Sequence, residues 1–218
     1  MPVKRAALNR EKVLQAGLKL ADEHGVEELS MRKLAKELGV EAMSLYNHVA
    51  NKDDLIDGLI DLVFDEIETP QPGVEWRTAL RRRATTTREA LRRHPWANGL
   101  MEGRARPGPA SARLHEAVLR CLREAGFSVS DTARAYSIQD SFIYGFALQE
   151  RSLPAFESAE IGAEVADRVM RLVDPEVLPY TAEMVDIHVR AGGYNLTAEF
   201  EFGLGLILDG LERLRASG

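Results

Sequence analysis

Apolar positions recur along the chain at intervals of three and four, and no convincing two-residue alternation bounded by hairpin turns occurs. Over residues 9–24, Val13, Leu14, Gly17, Leu18, Leu20 and Ala21 fall on one stripe of a helix. Gly25 stands where a helix-ending glycine is expected. Ser30 can cap a second helix, whose inner face is Met31, Leu34, Ala35 and Leu38. Gly39 permits a tight turn, and a third helix is predicted over 41–49, burying Leu45 and Val49. Asn51 and Asp54 resemble a capping box for a fourth helix carrying Leu55, Ile56, Leu59, Ile60, Leu62, Val63 and Ile67.

The segment TPQPG at 69–73 interrupts this pattern with two prolines. Beyond it the periodicity predicts helices at about 75–93, 96–102, 109–125, 130–151, 160–173, 180–190 and 194–215. Pro95, the RARPGP run at 104–109, Gly126, Pro154, Pro175, Gly192 and Gly193 punctuate them. The fold class is therefore all-α. Residues 1–52 form a small three-helix domain, residues 53–68 a linking helix, and residues 53–218 as a whole a larger helical domain.

A chain of 218 residues is long enough to bury a sizeable core. It contains no apolar run long enough to span a membrane, so no membrane partner is expected. Its start, MPVKRAALNREK, lacks the apolar region of a secretory signal. The single cysteine, Cys121, excludes an intrachain disulfide or a cysteine-based metal cluster and reads as a core residue. These features fit a cytoplasmic protein. The net charge of −6 is unevenly spread. Residues 1–52 hold 9 Lys and Arg against 7 Asp and Glu, whereas the remainder holds 19 against 27. Phosphate neutralisation is local to one face, so the N-terminal part can attract a polyanion that the acidic remainder repels.

The stretch SMRKLAKELGVEAMSLYNHVANK at 30–52 reads as a helix-turn-helix, its second helix suited to a DNA groove. The N-terminal half of that helix offers Ala42, Met43 and Ser44. Small residues allow close approach, Ser44 can donate or accept, and Ala42 and Met43 can pack on thymine methyl groups. Tyr46 and His48 can bond phosphate oxygens, and Asn47 can reach an adenine edge or a phosphate. Lys52 opens the fourth helix, where a cation and helix N–H groups together hold a phosphate. Arg32 lies in the first turn of the backbone-crossing helix, and Ser30 can bond a phosphate or simply cap. Plainer readings stand beside these. Tyr46 can be a core aromatic, His48 a surface residue, and the whole stretch an ordinary helical hairpin.

The residues "S.R.LA.ELGV" at 30–40 and "LY.HV.NKD.L" at 45–55 resemble the DNA-binding domain of the TetR family of transcriptional regulators. The resemblance covers about residues 14–59 and implies a homodimeric repressor of duplex DNA. Such a repressor binds a palindromic operator and releases it when a small-molecule effector occupies the C-terminal ligand-binding and dimerisation domain. More loosely, Trp76, the Arg-rich helix after it, EAGFS at 124–128 and SFIYGFALQE at 141–150 resemble the regulatory core of the tetracycline repressors. Those proteins hold the drug and its magnesium with histidines. Here the fourth helix ends in Asp65, Glu66, Ile67 and Glu68, and PWANGLMEGRARP after His94 lacks the expected metal histidine. Ala42, Met43 and Asn47 also depart from the tetracycline repressors, which implies a different operator. By the resemblance the DNA-contacting positions are Arg32, Ala42, Met43, Ser44, Tyr46, Asn47, His48 and Lys52.

An effector cavity is expected near the end of the linking helix, with Phe64, Ile67, Thr86, Thr87, Leu100, Met101 and Phe142 as its lining. Each of these can equally be plain core. The effector's identity is open, and no cofactor or metal is implied. Ala135, Ile138, Phe142, Phe146 and Leu148 stripe one helix, and Leu196, Phe200, Leu204, Ile207, Leu208 and Leu211 the last, with Gly203 and Gly205 allowing close approach. Two such helices from each of two chains can make a four-helix dimer interface, or both stripes can be intrachain core. A shift of the linking helix would change the separation of two recognition helices, which a turn of DNA fixes at roughly 34–36 Å. Two other readings are a helix-turn-helix protein without ligand sensing and a helical enzyme. The five histidines form no metal spacing, and no nucleophile elbow or P-loop occurs, so an enzyme is not expected.

Overall fold

The computed structural model describes residues 8–101, 107–152, 159–190 and 195–216. The chain is all-α, and no strand occurs among the described residues. It divides into two compact units between Tyr136 and Ser137. The first contains α1 (Arg10–His24), α2 (Met31–Leu38), α3 (Ala42–Leu45), α4 (Lys52–Asp65), α5 (Trp76–Arg93), α6 (Asn98–Met101) and α7 (Pro109–Glu124). A single 3-10 turn, Pro95–Ala97, joins α5 to α6. Helix α8 (Val129–Ser152) begins in the first unit and continues into the second. The second unit also holds α9 (Ala159–Met170), α10 (Pro179–Met184) with its π-type continuation Val185–Arg190, and α11 (Leu196–Ala216).

The ends of the first helices follow from local chemistry. The Asn9 side chain accepts from the Lys12 N–H at 2.9 Å and caps α1. Ser30 caps α2 by accepting from the Lys33 N–H at 3.2 Å. Gly39 ends α2 in the left-handed region, φ 64° and ψ 40°, which a β-carbon would disfavour. Asn51 caps α4 through the Asp54 N–H at 2.8 Å, but Asp54 turns its carboxylate to the Ala50 N–H at 2.7 Å, so the reciprocal half of the box is displaced by one residue. Leu34, Leu45, Leu55, Leu59 and Val13 are fully buried and make the core of the small N-terminal bundle. Each leucine contributes roughly 1.5–3 kcal/mol by leaving water.

Downstream, Glu75 caps α5 by accepting from the Arg77 and Thr78 N–H groups, each at 2.9 Å. Trp76 is buried and meets Phe127 edge-on at 5.1 Å. Helix α7 has no cap of its own. Asp61 of α4 supplies one from outside, accepting from the Ala110 N–H at 2.9 Å and the Ser111 N–H at 3.1 Å. A β-carbon on Gly108 would stand 2.2 Å from the Asp61 carboxylate, so glycine is what lets α4 come this close.

Within the second unit, Phe142 and Phe146 of α8 pack on Phe200 of α11 at 5.3 and 5.1 Å. Gly203 allows the approach, because a β-carbon there would lie 2.8 Å from the Phe142 ring. A β-carbon on Gly205 would face open space, so that glycine is not part of the close approach. Leu196, Phe200, Leu204, Leu208 and Leu211 are buried within one chain, so this stripe of α11 is intrachain core. The large apolar residues left exposed on these helices within the second unit are Ile138, Leu148, Phe202 and Leu206.

Candidate nucleic-acid interface

The third helix is shorter than its periodicity predicts. Four residues, Ala42–Leu45, are α-helical. Beyond them the Asn47 and His48 N–H groups bond back three residues, to the Ser44 and Leu45 carbonyls at 3.4 and 2.9 Å. This tightening turns the chain toward α4. An isolated helix of this length would not persist in water. It holds here because Leu45 and Val49 are buried in the bundle core, at 0% and 1% exposure. Anchored from beneath, the segment projects Met43, Tyr46 and Asn47 into solvent, with Met43 75% exposed.

The other expected DNA-contacting residues lie around this row. Arg32 and Lys52 are exposed, on the first turns of α2 and α4. Ala42, Ser44 and His48 are half-buried on this segment, and Ser30 is half-buried at the cap of α2. Tyr46 is 45% exposed, which removes its reading as a core aromatic. The Ser44 hydroxyl donates to the Glu41 carbonyl at 2.5 Å, so in the free protein it is held within the helix.

The two ends of α4 carry groups that sequence reasoning missed. At the first turn, Arg10 of α1 bonds Asp54 with both terminal guanidinium nitrogens, at 2.9 and 3.1 Å, and the His48 carbonyl at 2.8 Å. Arg10 holds the Asp54 carboxyl below the usual carboxylate range, against a smaller opposing effect of burial. At the last turn, the buried His94 sits between two carboxylates. Its Nδ1 lies 2.7 Å from Asp22 of α1, and its Nε2 lies 3.1 Å from Glu66 at the end of α4. Trp96 Nε1 donates to the same Asp22 oxygen at 2.8 Å. Burial pushes the Glu66 carboxyl up, but its bonds from Arg93 and His94 outweigh this and leave it below the ordinary value. Partners 28 to 74 residues apart make this cluster invisible to short-range pattern reading.

Beside α4 lies a cleft of about 1150 Å³, bordered by Arg10, Leu14, Asp57, Asp61, Leu100 and Pro109 among others. A recess of about 50 Å³ adjoins Ile60, Phe64, Met101 and Ser111. Of the expected effector residues, Phe64 and Met101 come together at the recess, and Leu100 borders the cleft. Ile67 is buried. The Thr86 and Thr87 hydroxyls are turned onto the carbonyls of their own helix, Thr87 donating to the Arg83 carbonyl at 2.7 Å. Phe142 lies in the second unit, stacked on Phe200.

Residues 13–59 match the family model for bacterial regulatory proteins of the tetR family, and residues 69–215 match the model for the tetracyclin repressor-like C-terminal domain. The chain belongs to the TetR family. It is a ligand-responsive, DNA-binding transcriptional regulator, and its family consists of regulators rather than enzymes. It is 31% identical to the HTH-type transcriptional repressor DrrR1 of Streptomyces coeruleorubidus, over 97% of this chain and 80% of that protein. It is 34% identical to the class A tetracycline repressor from transposon 1721 in Escherichia coli, over 93% and 90%. Among solved structures it resembles apo ActR from Streptomyces coelicolor, with a TM-score of 0.79, 25% identity and coverage of 97% and 98%. ActR has also been solved in complex with actinorhodin. Among the described residues, no helix of this TetR-family regulator is long and apolar enough to cross a membrane.

Proposed function

We propose that this regulator is a cytoplasmic homodimeric repressor that holds a palindromic operator and releases it when a small molecule binds. The observation that carries the reading is the row Met43, Tyr46 and Asn47, raised into solvent on two buried anchors, Leu45 and Val49. Ala42, Met43 and Ser44 face base edges, while Ser30, Arg32, Tyr46, Asn47, His48 and Lys52 hold phosphates or neighbouring edges. Residues 1–52 are the reading domain, 53–68 the link, and 53–218 the regulatory and dimerisation part. The dimer face uses Ile138 and Leu148 of α8 with Phe202 and Leu206 of α11, which are 49–66% exposed in one chain. Apolar exposure of this kind is what an isologous interface covers.

The effector enters beside α4, where Phe64, Leu100 and Met101 border the openings and Ile67, Thr86 and Thr87 stand near the end of the same helix. Two openings at α4 support that location. The fourth helix ends without a histidine, so tetracycline with magnesium is not the expected effector. Actinorhodin, which ActR binds, is the first probe to try.

Selection of bound duplexes from a random library tests the central claim. Two symmetric half-sites about one helical turn apart are expected, with affinity falling steeply as salt rises. Absence of duplex binding at low salt would overturn the reading. Tyr46→Ala is expected to weaken the selected site roughly tenfold while the oligomeric state stays unchanged.

A further inference from the structure

We propose that Arg10 and Asp54 form a positioning clamp that sets the angle of the DNA-reading segment without touching DNA. The proposal rests on the reading that residues 42–52 face the duplex. Helix α3 is one turn long, and Glu41 gives it no side-chain cap. The loop that follows carries Tyr46, Asn47 and His48 and must be held from outside. Arg10 does this by donating to the His48 carbonyl at 2.8 Å while gripping Asp54 with both terminal nitrogens. Asp54 in turn accepts from the Ala50 N–H at 2.7 Å and gives its own N–H to Asn51 at 2.8 Å. Five hydrogen bonds thereby join α1, the loop and α4.

The guanidinium is planar, and its fork fixes direction as well as distance. Three hydrogen bonds from its terminal nitrogens go to a carboxylate and a carbonyl of the same chain, so the fork itself is directed inward. The two side chains are 46% and 34% exposed. A pair this wet adds little to global stability. Its effect is on where the loop stands. Reading depends on that position, because base edges discriminate only when side chains arrive within hydrogen-bond reach.

The test measures fluorescence anisotropy with a labelled duplex carrying the site that the wild-type protein selects, and with a scrambled duplex. Asp54→Ala removes a negative charge near DNA, so charge alone would tighten binding. The clamp predicts the opposite on the selected site, a roughly fivefold loss, with scrambled binding unchanged or tighter. Arg10→Ala is expected to lose a similar factor while keeping the wild-type salt slope, since no phosphate contact is removed. The double variant should be no weaker than the weaker single variant. Arg10→Lys, which keeps the charge and loses the fork, should fall between, and it serves if thermal unfolding shows that the alanine variants do not fold. Unchanged or tighter selected-site binding by Asp54→Ala, additive losses, or a salt slope reduced by about one in Arg10→Ala would each overturn the clamp. Lys52→Ala and Tyr46→Ala separate this from the underlying reading. If both leave affinity unchanged, the interface itself is misplaced; if both weaken it and Asp54→Ala does not, the clamp alone fails.

Discussion

At its first turn α4 is fastened by half-exposed groups, Arg10, Asp54 and Asn51, which hold a one-turn helix and its following loop. At its last turns it is fastened by an inward network, in which His94 has only 7% of its side chain exposed between Asp22 and Glu66, and Asp61 caps α7. Water can replace a bond at the first end, so breaking one costs little energy and mainly changes geometry. Removing a partner at the other end strands a desolvated polar group, which costs much more. The same helix thus has one end that carries stability and one that carries position. On the proposed function, an effector that shifts α4 would act on an element whose first turn can tilt without unfolding the bundle.

The sharpest way to break this contrast is His94→Ala. It deletes a buried ring held at both nitrogens and leaves a cavity beside Trp96, and a loss of about 2–3 kcal/mol is expected in urea unfolding. A loss no larger than that of an exposed pair would abolish the distinction between the two ends. Gly108→Ala comes next. Its β-carbon would meet the Asp61 carboxylate at 2.2 Å and force the cap off α7, for a loss of about 1–2 kcal/mol by thermal unfolding. Stability equal to wild type would show that Asp61 does not hold α7.

The smallest effect belongs to the reading end and depends on pH. Arg10 lowers the Asp54 pKa in the folded state, so the pair stabilises above the unfolded carboxylate value, near pH 4, and its contribution disappears as pH falls through the lower folded value. Because both side chains are about a third or more exposed, the difference between wild type and Asp54→Asn is expected to be only about 0.5 kcal/mol at pH 7. It should close as pH falls through the lowered folded value. A gap that widens on acidification would reverse the sign of the pair.

Much of the fold was legible because helix signals are local. Ser30, Gly39 and Asn51 each act on groups three or four residues away, and the structure finds each at a helix boundary. The third helix is shorter than the predicted 41–49, since Leu45 and Val49 share a face whether the chain between them is α-helical or tightened to three-residue bonds. The α11 stripe illustrates a different limit. Buried apolar spacing is identical for a core and for an interface, and only the packing of Phe142, Phe146 and Phe200 assigns it to one chain. Thr86 and Thr87 show a third, because a hydroxyl on an apolar helix can serve a ligand or the carbonyl four residues back, and here it serves the carbonyl.

The sequence by itself determined the all-α class and the helix-turn-helix at 30–52, since periodicity, caps and residue chemistry act within a few positions. Only the tertiary structure decided which charged groups are spent inside the chain. Arg10 with Asp54, and His94 with Asp22 and Glu66, are pairs 28 to 72 residues apart that meet only because α1, α4 and the end of α5 bury their apolar faces together. That burial sets the distances, and at these separations distance decides whether a charge on the surface attracts DNA or holds the protein that reads it.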